Sequence, residues 1–379
     1  MGAGGQMNND KTDAKLDVIK RAPVTKPPFE ISDLKKAIPP HCYERNLTRS
    51  LYYLFRDIIT CFALYQIALN YIPLLPKPLN YVAWPIYWFC QGSLFFGLWA
   101  IGHDLGHGSF SEYKWLNDAL GFFLHSFLLN PYFSLKYSHR RHHAHTGSME
   151  YDEVWVPKRK ADTFFSEVLN NPLGNLILMW LRLVIGIPLY FTINTTGRKY
   201  DGFASHFYPQ SPIFNDSERK LVWITDAGLL VVYYSLYKVA MTMSVSWLFF
   251  MYGAPWMIMN IHFTLISMMN HIHPELPHYD SREWDWLRGA LSTVDRDFGI
   301  FNDIFHNTSC GHVMHHLFPT SIPHYHLVEA TNAVKPILGD YYKYDDKPVL
   351  KAFWRESKDC IYVEPDEGSE KSGVYWFRK

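Results

Sequence analysis

Six apolar stretches constrain this chain more than anything else in it, near residues 51–72, 82–101, 119–135, 175–193, 221–240 and 244–269. A helix needs about 20 apolar residues to cross ~30 Å of hydrocarbon. Runs 51–72 and 82–101 meet that length and are joined by the proline-rich turn "IPLLPKPLNYVAWP". The run 119–135 is shorter and carries His125 and Asn130-Pro131, which suits an interfacial helix. Lys136, Arg140, Arg141, Lys158, Arg159 and Lys160 follow the second run, and such a cluster marks the cytosolic side. For later segments to return to that side, only two of the last three runs can cross. The expected pair is 221–240 and 244–269, with 175–193 left at the interface. Arg56 and Asp57 are costly mid-bilayer and are expected near the rim of the first span.

The expected fold is therefore an all-α integral membrane protein with about four transmembrane helices, further interfacial helices, and a cytosolic helical cap. A mean hydropathy of −0.14 supports the cap, because roughly half the chain must then face water. Aromatic residues make up 17% of the chain, including 13 Trp and 25 Tyr, residues that favour membrane interfaces. Basic and acidic residues balance at 36 each, so no nucleic-acid footprint is present. Five scattered cysteines give no disulfide framework. Residues 1–28 are polar and read as a disordered cytosolic tail without a cleaved signal, leaving 29–379 as one domain. In "FEISDLKKAI", Ser32 is the expected N-cap of a short helix stopped by Pro39-Pro40. The sequons at Asn46, Asn194 and Asn307 are expected to stay unmodified on the topology above.

Three histidine clusters sit just beyond apolar runs. "HDLGH" supplies His103 and His107, "HRRHH" supplies His139, His142 and His143, and "HVMHH" supplies His312, His315 and His316. Positions i, i+3 and i+4 share one face of a helix, so each cluster can aim its imidazoles at one point. One such cluster is commonly chance or a solvated patch. Eight imidazoles in three clusters exceed what one four-coordinate ion uses and fit two ions with open positions. Imidazole suits iron, zinc, copper and nickel alike, so the ligands do not name the metal. His271, His273 and Asn270 are candidate additional ligands, and Asp104, Glu153, Asp297 and Asp303 are candidates to take a ligand's other ring N–H. His125, His206, His262 and His306 read as structural or surface histidines.

These boxes, with "MGAGG", "DLKKAIPPHCYERN", "NPYFSLKYSHRRHH", "LPHYDSREWDWLRGALSTVDRDFG", "IPHYH", "KPILGDYY" and "FWRESKDCIYVEPDEG", resemble the membrane fatty-acid desaturase superfamily. The plant endoplasmic-reticulum oleate (delta-12) desaturases are the most similar branch. The resemblance implies a di-iron site, molecular oxygen as co-substrate, and a phospholipid acyl chain as substrate. It also implies electrons from a separate cytochrome b5 and its reductase, an endoplasmic-reticulum membrane with the catalytic face cytosolic, and association with itself or other desaturases. It puts an extra ligand in the region of His271, His273 and Asn270, and an aromatic-rich retention signal at "GVYWFRK".

This chain also departs from the family pattern. The first box reads "GHDLGHG" where ordinary members read Ala-His-Glu-Cys-Gly-His-His, so Gly102 resembles the diverged conjugases, acetylenases, epoxygenases and hydroxylases. Asp104, Leu105 and Gly108 differ further, Cys310 and Gly311 precede the third box, and His145 stands where Asn is usual. Gly102, Leu105, Gly108, Cys310 and Gly311 are thus candidates to tune the reaction's outcome. The expected activity is delta-12 desaturase-like oxidation, with conjugation of linoleate favoured. Ordinary oleate desaturation, acetylenase, epoxygenase or hydroxylase activity is the alternative. From other classes, a zinc-binding membrane receptor or a metal transporter would also carry membrane-edge histidines.

Overall fold

The architecture, seen in a computed structural model that describes residues 20–163, 168–369 and 372–379, is a set of long apolar helices under a smaller mixed cap. Helix α1 (Ile31–Ala37) begins two residues earlier than the Ser32 cap implies. Glu30 is its N-cap, and the Asp33 carboxylate accepts from the Glu30 N–H at 3.0 Å. Helix α2 (Leu47–Asn70) starts on Asn46, whose side chain accepts from the Arg49 N–H, satisfying one of the helix's unpaired donors. Helix α3 (Lys77–His107) enters through Pro76 and Pro78 and ends at Gly108, left-handed at φ 78°. Every residue of α3 from Gln91 to Leu105 is buried, so it is the central post of the bundle. Gly92 permits this: a Cβ there would lie 2.5 Å from Ile258 Cβ.

The stretch 119–135 is two elements, not one interfacial helix. Helices α4 (Lys114–Phe127) and α5 (Tyr132–His145) are separated by Leu129, at φ 56°, and by Asn130-Pro131. Pro131 lacks an N–H and disfavours helix in the residue before it, so the chain turns there. Helices α6 (Pro172–Ile193) and α7 (Asp216–Met243) are capped by Asn171 and Asn215. A single turn and a π-helical stretch (Phe249–Gly253) lead into α8 (Ala254–His271).

Three helices among the described residues are long and apolar enough to cross a membrane: Leu47–Leu74, Pro172–Ile193 and Val245–His271, with mean hydropathies of 1.3, 2.0 and 1.2. The helix that parity leaves at the interface is thus the most apolar of the three. Parity fixes how many segments cross and says nothing of which. Expected spans 82–101 and 221–240 lie in α3 and α7. Helix α7 turns Leu230, Val231, Tyr234 and Tyr237 outward, an exposed apolar face of the kind that meets lipid. Asp57 is buried at the flank of α2, where it takes the His306 Nε2 at 2.6 Å and Arg56 Nε at 2.9 Å; Arg56 also reaches Asp303 at 2.8 Å.

The cap holds helices α9 (His312–Leu317) and α10 (Leu327–Leu338), packed with α1 over Leu34, Ile38, Val313, Leu317 and Val334, and α11 (Val349–Asp359), whose Ala352 and Phe353 pack on Met268 and Met269 of α8. It is not purely helical. His278–Tyr279 and Tyr362–Glu364 flank Val374–Arg378 in an antiparallel sheet, and Asp295–Arg296 pairs in parallel with Tyr344–Asp345. Residues 20–28, expected in a disordered tail, are fastened to this cap; residues 1–19 of that tail lie outside the described residues. Ala22 N–H donates to Glu275 O at 2.9 Å, Arg288 donates to Val24 O at 2.8 Å, and Arg21 reaches Asp366 at 2.8 Å. The five cysteines are free, as expected.

Candidate metal centre

Four helix segments converge where the bundle meets the cap. The last turn of α3 brings His103 and His107, α5 brings His139, His142 and His143, α9 brings His312, His315 and His316, and the last turn of α8 brings His271. Their ring nitrogens form two groups. His103, His107, His139, His143 and His315 lie within 4.8 Å of one another, as do His142, His271 and His316. His312 joins the second group, its Nε2 at 2.9 Å from that of His271. Within the first group, Nε2 of His103 lies 2.6 Å from that of His139, and Nε2 of His143 lies 3.0 Å from that of His139. His142 and His271 meet through Nε2 at 3.3 Å.

The other ring nitrogen shows which tautomer the site holds. His142 Nδ1 lies 2.7 Å from the buried carboxylate of Asp152, and His312 Nδ1 lies 3.0 Å from Thr308 O; a carboxylate or carbonyl accepts only, so both Nδ1 atoms are protonated. The Thr146 hydroxyl donates to His142 O at 2.7 Å, which leaves its oxygen to accept from His316 Nδ1 at 3.1 Å. All three imidazoles then present an Nε2 lone pair to the centre. Lone pairs facing each other at such distances are unfavourable unless a cation sits among them. The Nε2 atoms of His315 and His316 are also buried without a hydrogen-bond partner among the described residues. The donor set therefore fits metal ions, five imidazoles at one position and four at the other. Burial holds His139, His143, His315 and His316 well below the ordinary imidazole range and His312 at about 3, so all are neutral at pH 7, as ligands must be. The Asp152 carboxyl, which burial alone would raise, is held below its ordinary value by His142 and by the N–H groups of Val154 and Trp155.

The remaining candidates fall elsewhere. His273 faces Asp345 at 3.4 Å, apart from the imidazole groups, and accepts the Glu275 N–H at its Nδ1. Asn270 spends its amide on Val294 O and Ser309 O at 2.6 and 3.1 Å, tying a loop to α8. Of the carboxylates, Asp303 binds Arg56, Asp297 closes an exposed turn with Gly299 N–H at 2.7 Å, and Glu153 meets Tyr200 at 2.5 Å. Asp104 sits beside His103, with Oδ1 3.8 Å from its Nδ1, too long for a hydrogen bond, and accepts the His324 N–H at 3.2 Å. Asp152, Thr146 and Thr308 hold the ligand rings instead. Only the presence of a carboxylate shortly after the second box hinted at the first of them. His125, His206, His262 and His306 bond to Trp99 O, Ser138, Ser93 and Asp57, outside both groups.

A cavity of about 420 Å³ runs from the imidazoles between α3, α6, α8 and the cap. Phe96, Trp99, Leu135, Trp155, Leu181 and Phe263 give it apolar walls. Gly102, Leu105, Gly108, Cys310 and Gly311 do not line it. Gly102 stands one layer behind it: a Cβ there would meet the His125 ring at 2.4 Å, and His125 donates to Trp99 O at 3.2 Å, beneath a ring that does form the wall. Gly311 allows the start of α9 to touch α10, where a Cβ would stand 2.6 Å from Leu327 Cβ.

A family model for fatty acid desaturases matches residues 80–348, the part of the chain that holds every imidazole of the two groups. The chain belongs to the fatty acid desaturase family. A domain of unknown function also matches residues 4–66. Over 381 residues the chain is 54% identical to an endoplasmic-reticulum omega-6 fatty acid desaturase of Brassica juncea, covering 100% of this chain and 99% of that one. It is 54% identical over 380 residues to a delta(12)-fatty-acid desaturase of Arabidopsis thaliana, with the same coverage. A fatty acid conjugase of Calendula officinalis is 55% identical over 366 residues, 95% of this chain and 97% of the relative. The desaturase is thus an oxidoreductase acting on fatty acids, and the receptor and transporter readings fall away. Desaturases and a conjugase stand at nearly equal identity, so likeness does not separate those two reactions.

Proposed function

We propose that this desaturase removes hydrogen from a phospholipid-bound acyl chain near its twelfth carbon, at the cytosolic rim of the endoplasmic-reticulum membrane. The observation that carries the reading is the pair of imidazole groups at one end of an apolar cavity. His103, His107, His139, His143 and His315 would hold one iron, and His142, His271, His312 and His316 the other. Two such irons with molecular oxygen supply the oxidant that an unactivated methylene C–H bond requires. Two hydrogens leave adjacent carbons, and with one oxygen molecule, two electrons and two protons they end in two waters. Cytochrome b5 and its reductase supply the electrons, and the chain assembles with itself or with other desaturases.

The protein's own part is positioning and dryness. Asp152, Thr146 and Thr308 fix the ligand rings. Phe96, Trp99 and Phe263 hold the chain against the centre and keep water away. Conjugation of linoleate is the second reading, favoured by Gly102, which lets His125 rise under Trp99 and so reshapes the wall nearest His103. Shifts near 1 Å at a reacting carbon change outcomes substantially. Gas chromatography of fatty acids from yeast expressing the chain, fed oleate and then linoleate, tests both. New dienes from oleate support the first reading and conjugated trienes from linoleate the second; unchanged fatty acids with iron bound would refute both.

A further inference from the structure

Helix α6 carries one charge midway along 22 otherwise apolar or uncharged residues: Arg182. Leu178, Leu181, Arg182, Ile185, Gly186 and Leu189 all line the cavity, at i, i+3, i+4, i+7, i+8 and i+11, so a single face of α6 is the wall and Arg182 belongs to it. Arg182 is half-buried as a residue and makes no hydrogen bond or ion pair with any described residue. A charge at such depth in an apolar helix is costly unless it meets an opposite charge. Lys158, exposed and likewise unpaired among the described residues, lines the same cavity as Ile361, and the N–H of Val363, two residues further on, donates to Lys158 O at 2.8 Å. Among the described residues no Asp or Glu lines the cavity. Two turns further along α6, about 12 Å at 1.5 Å per residue, Tyr190 lines it among the core residues around Trp99 and Phe263.

The cavity thus pairs cations at one part with imidazoles at another and apolar walls between, which is the complement of an amphiphile with an anionic head. The geometry points to Arg182, helped by Lys158, as the site that binds the phosphate of the glycerophospholipid carrying the acyl chain, fixing how far the chain reaches toward the imidazoles. This rests on the acyl-lipid reading above and assigns its carrier. A guanidinium is the group best matched to phosphate, through two parallel N–H bonds.

The full-length iron-loaded protein, purified in detergent, is assayed for phospholipid phosphorus retained per chain. Arg182→Gln should retain several-fold less than the unaltered protein, Arg182→Lys an intermediate amount, and Lys158→Gln a smaller loss. In vesicles containing increasing oleoyl phosphatidylcholine, Arg182→Gln should raise the apparent KM about tenfold, the scale of a charged hydrogen bond, with kcat and iron content within about twofold. A structural role would lower iron and kcat together. Turnover of dioleoylglycerol, which has no phosphate, should be unaffected by the substitution. Unchanged phosphorus and KM in Arg182→Gln would overturn the proposal, as would equal retention of diacylglycerol and phospholipid. Displacement of the retained lipid by millimolar inorganic phosphate would show a free-anion site instead and also overturn it. If the unaltered protein oxidises no acyl lipid, the function reading fails, while the retained-phosphorus measurement still decides this one.

Discussion

Asp152 stands on the outer nitrogen of His142 and Gly102 stands behind His125, and each gives a separable expectation. Asp152→Asn keeps the shape but can present an amide N–H to His142 Nδ1, which favours the wrong tautomer. Outer partners of this kind typically govern 10–100-fold in metal affinity or activity, so iron retained after dialysis against a chelator should fall by about that factor. Replacing His142 or His315 by Ala should abolish product altogether. Gly102→Ala forces the His125 ring to move, a strain of about 1–3 kcal/mol for overpacking. It should lower the thermal midpoint by a few degrees and change the ratio of products in yeast, whereas an unchanged ratio would separate Gly102 from outcome control. The box histidines are readable in sequence because a helix places i, i+3 and i+4 together. Asp152 and Thr308 are not, since each reaches its ring through a loop or turn whose course no spacing reveals. His271 was one of three neighbouring candidates; the helix end at Ile272 is what parts it from His273.

At the scale of elements, α9 is a helix of six residues carrying three of the nine imidazoles. So short a helix does not hold itself together in water, and its neighbours do that work. The buried Asp295 carboxylate accepts the Val313 N–H at 2.7 Å and the Tyr342 hydroxyl at 2.9 Å, fastening α9 to the chain beyond it. Asp295→Ala should therefore cost about 1–3 kcal/mol, the penalty of unpaired buried donors, and should release iron as well. Tyr342→Phe should cost less and keep the metal, which metal analysis and thermal melting together would distinguish. The long helices are legible from their apolar runs, but the α4–α5 break is not, because the apolar run continues across Asn130-Pro131. The apolarity of α6 carries no weight in a parity argument, which counts crossings without weighing the individual helix.

For the whole molecule, buried neutral histidines tie stability to pH. Burial holds His206 at about 3 and His273 and His278 at about 4. As pH falls below about 6.5, the unfolded chain takes up protons at these positions while the folded chain does not, so stability is lost between pH 6.5 and about 4. Asp295 and Glu356, pushed to about 7 by burial, act in the opposite direction over the same range, but the buried imidazoles outnumber them. The thermal midpoint should thus fall steadily from pH 7 to pH 5 at constant salt, and a flat profile would contradict it. The fold class and the convergence of the boxes were visible in the chain. The mixed cap was not, because its strands of two to five residues are too short to show alternation.

Val374–Arg378 is the middle strand of the cap sheet, with Trp376 and Phe377 buried and Phe377 closing one side of the apolar cavity. A sorting receptor that reads an aromatic peptide must first hold it in the open. Here the same aromatics are masonry, so exposing them as an address would unroof the enzyme, and a reporter fused after Lys379 should disturb lipid chemistry before it disturbs location.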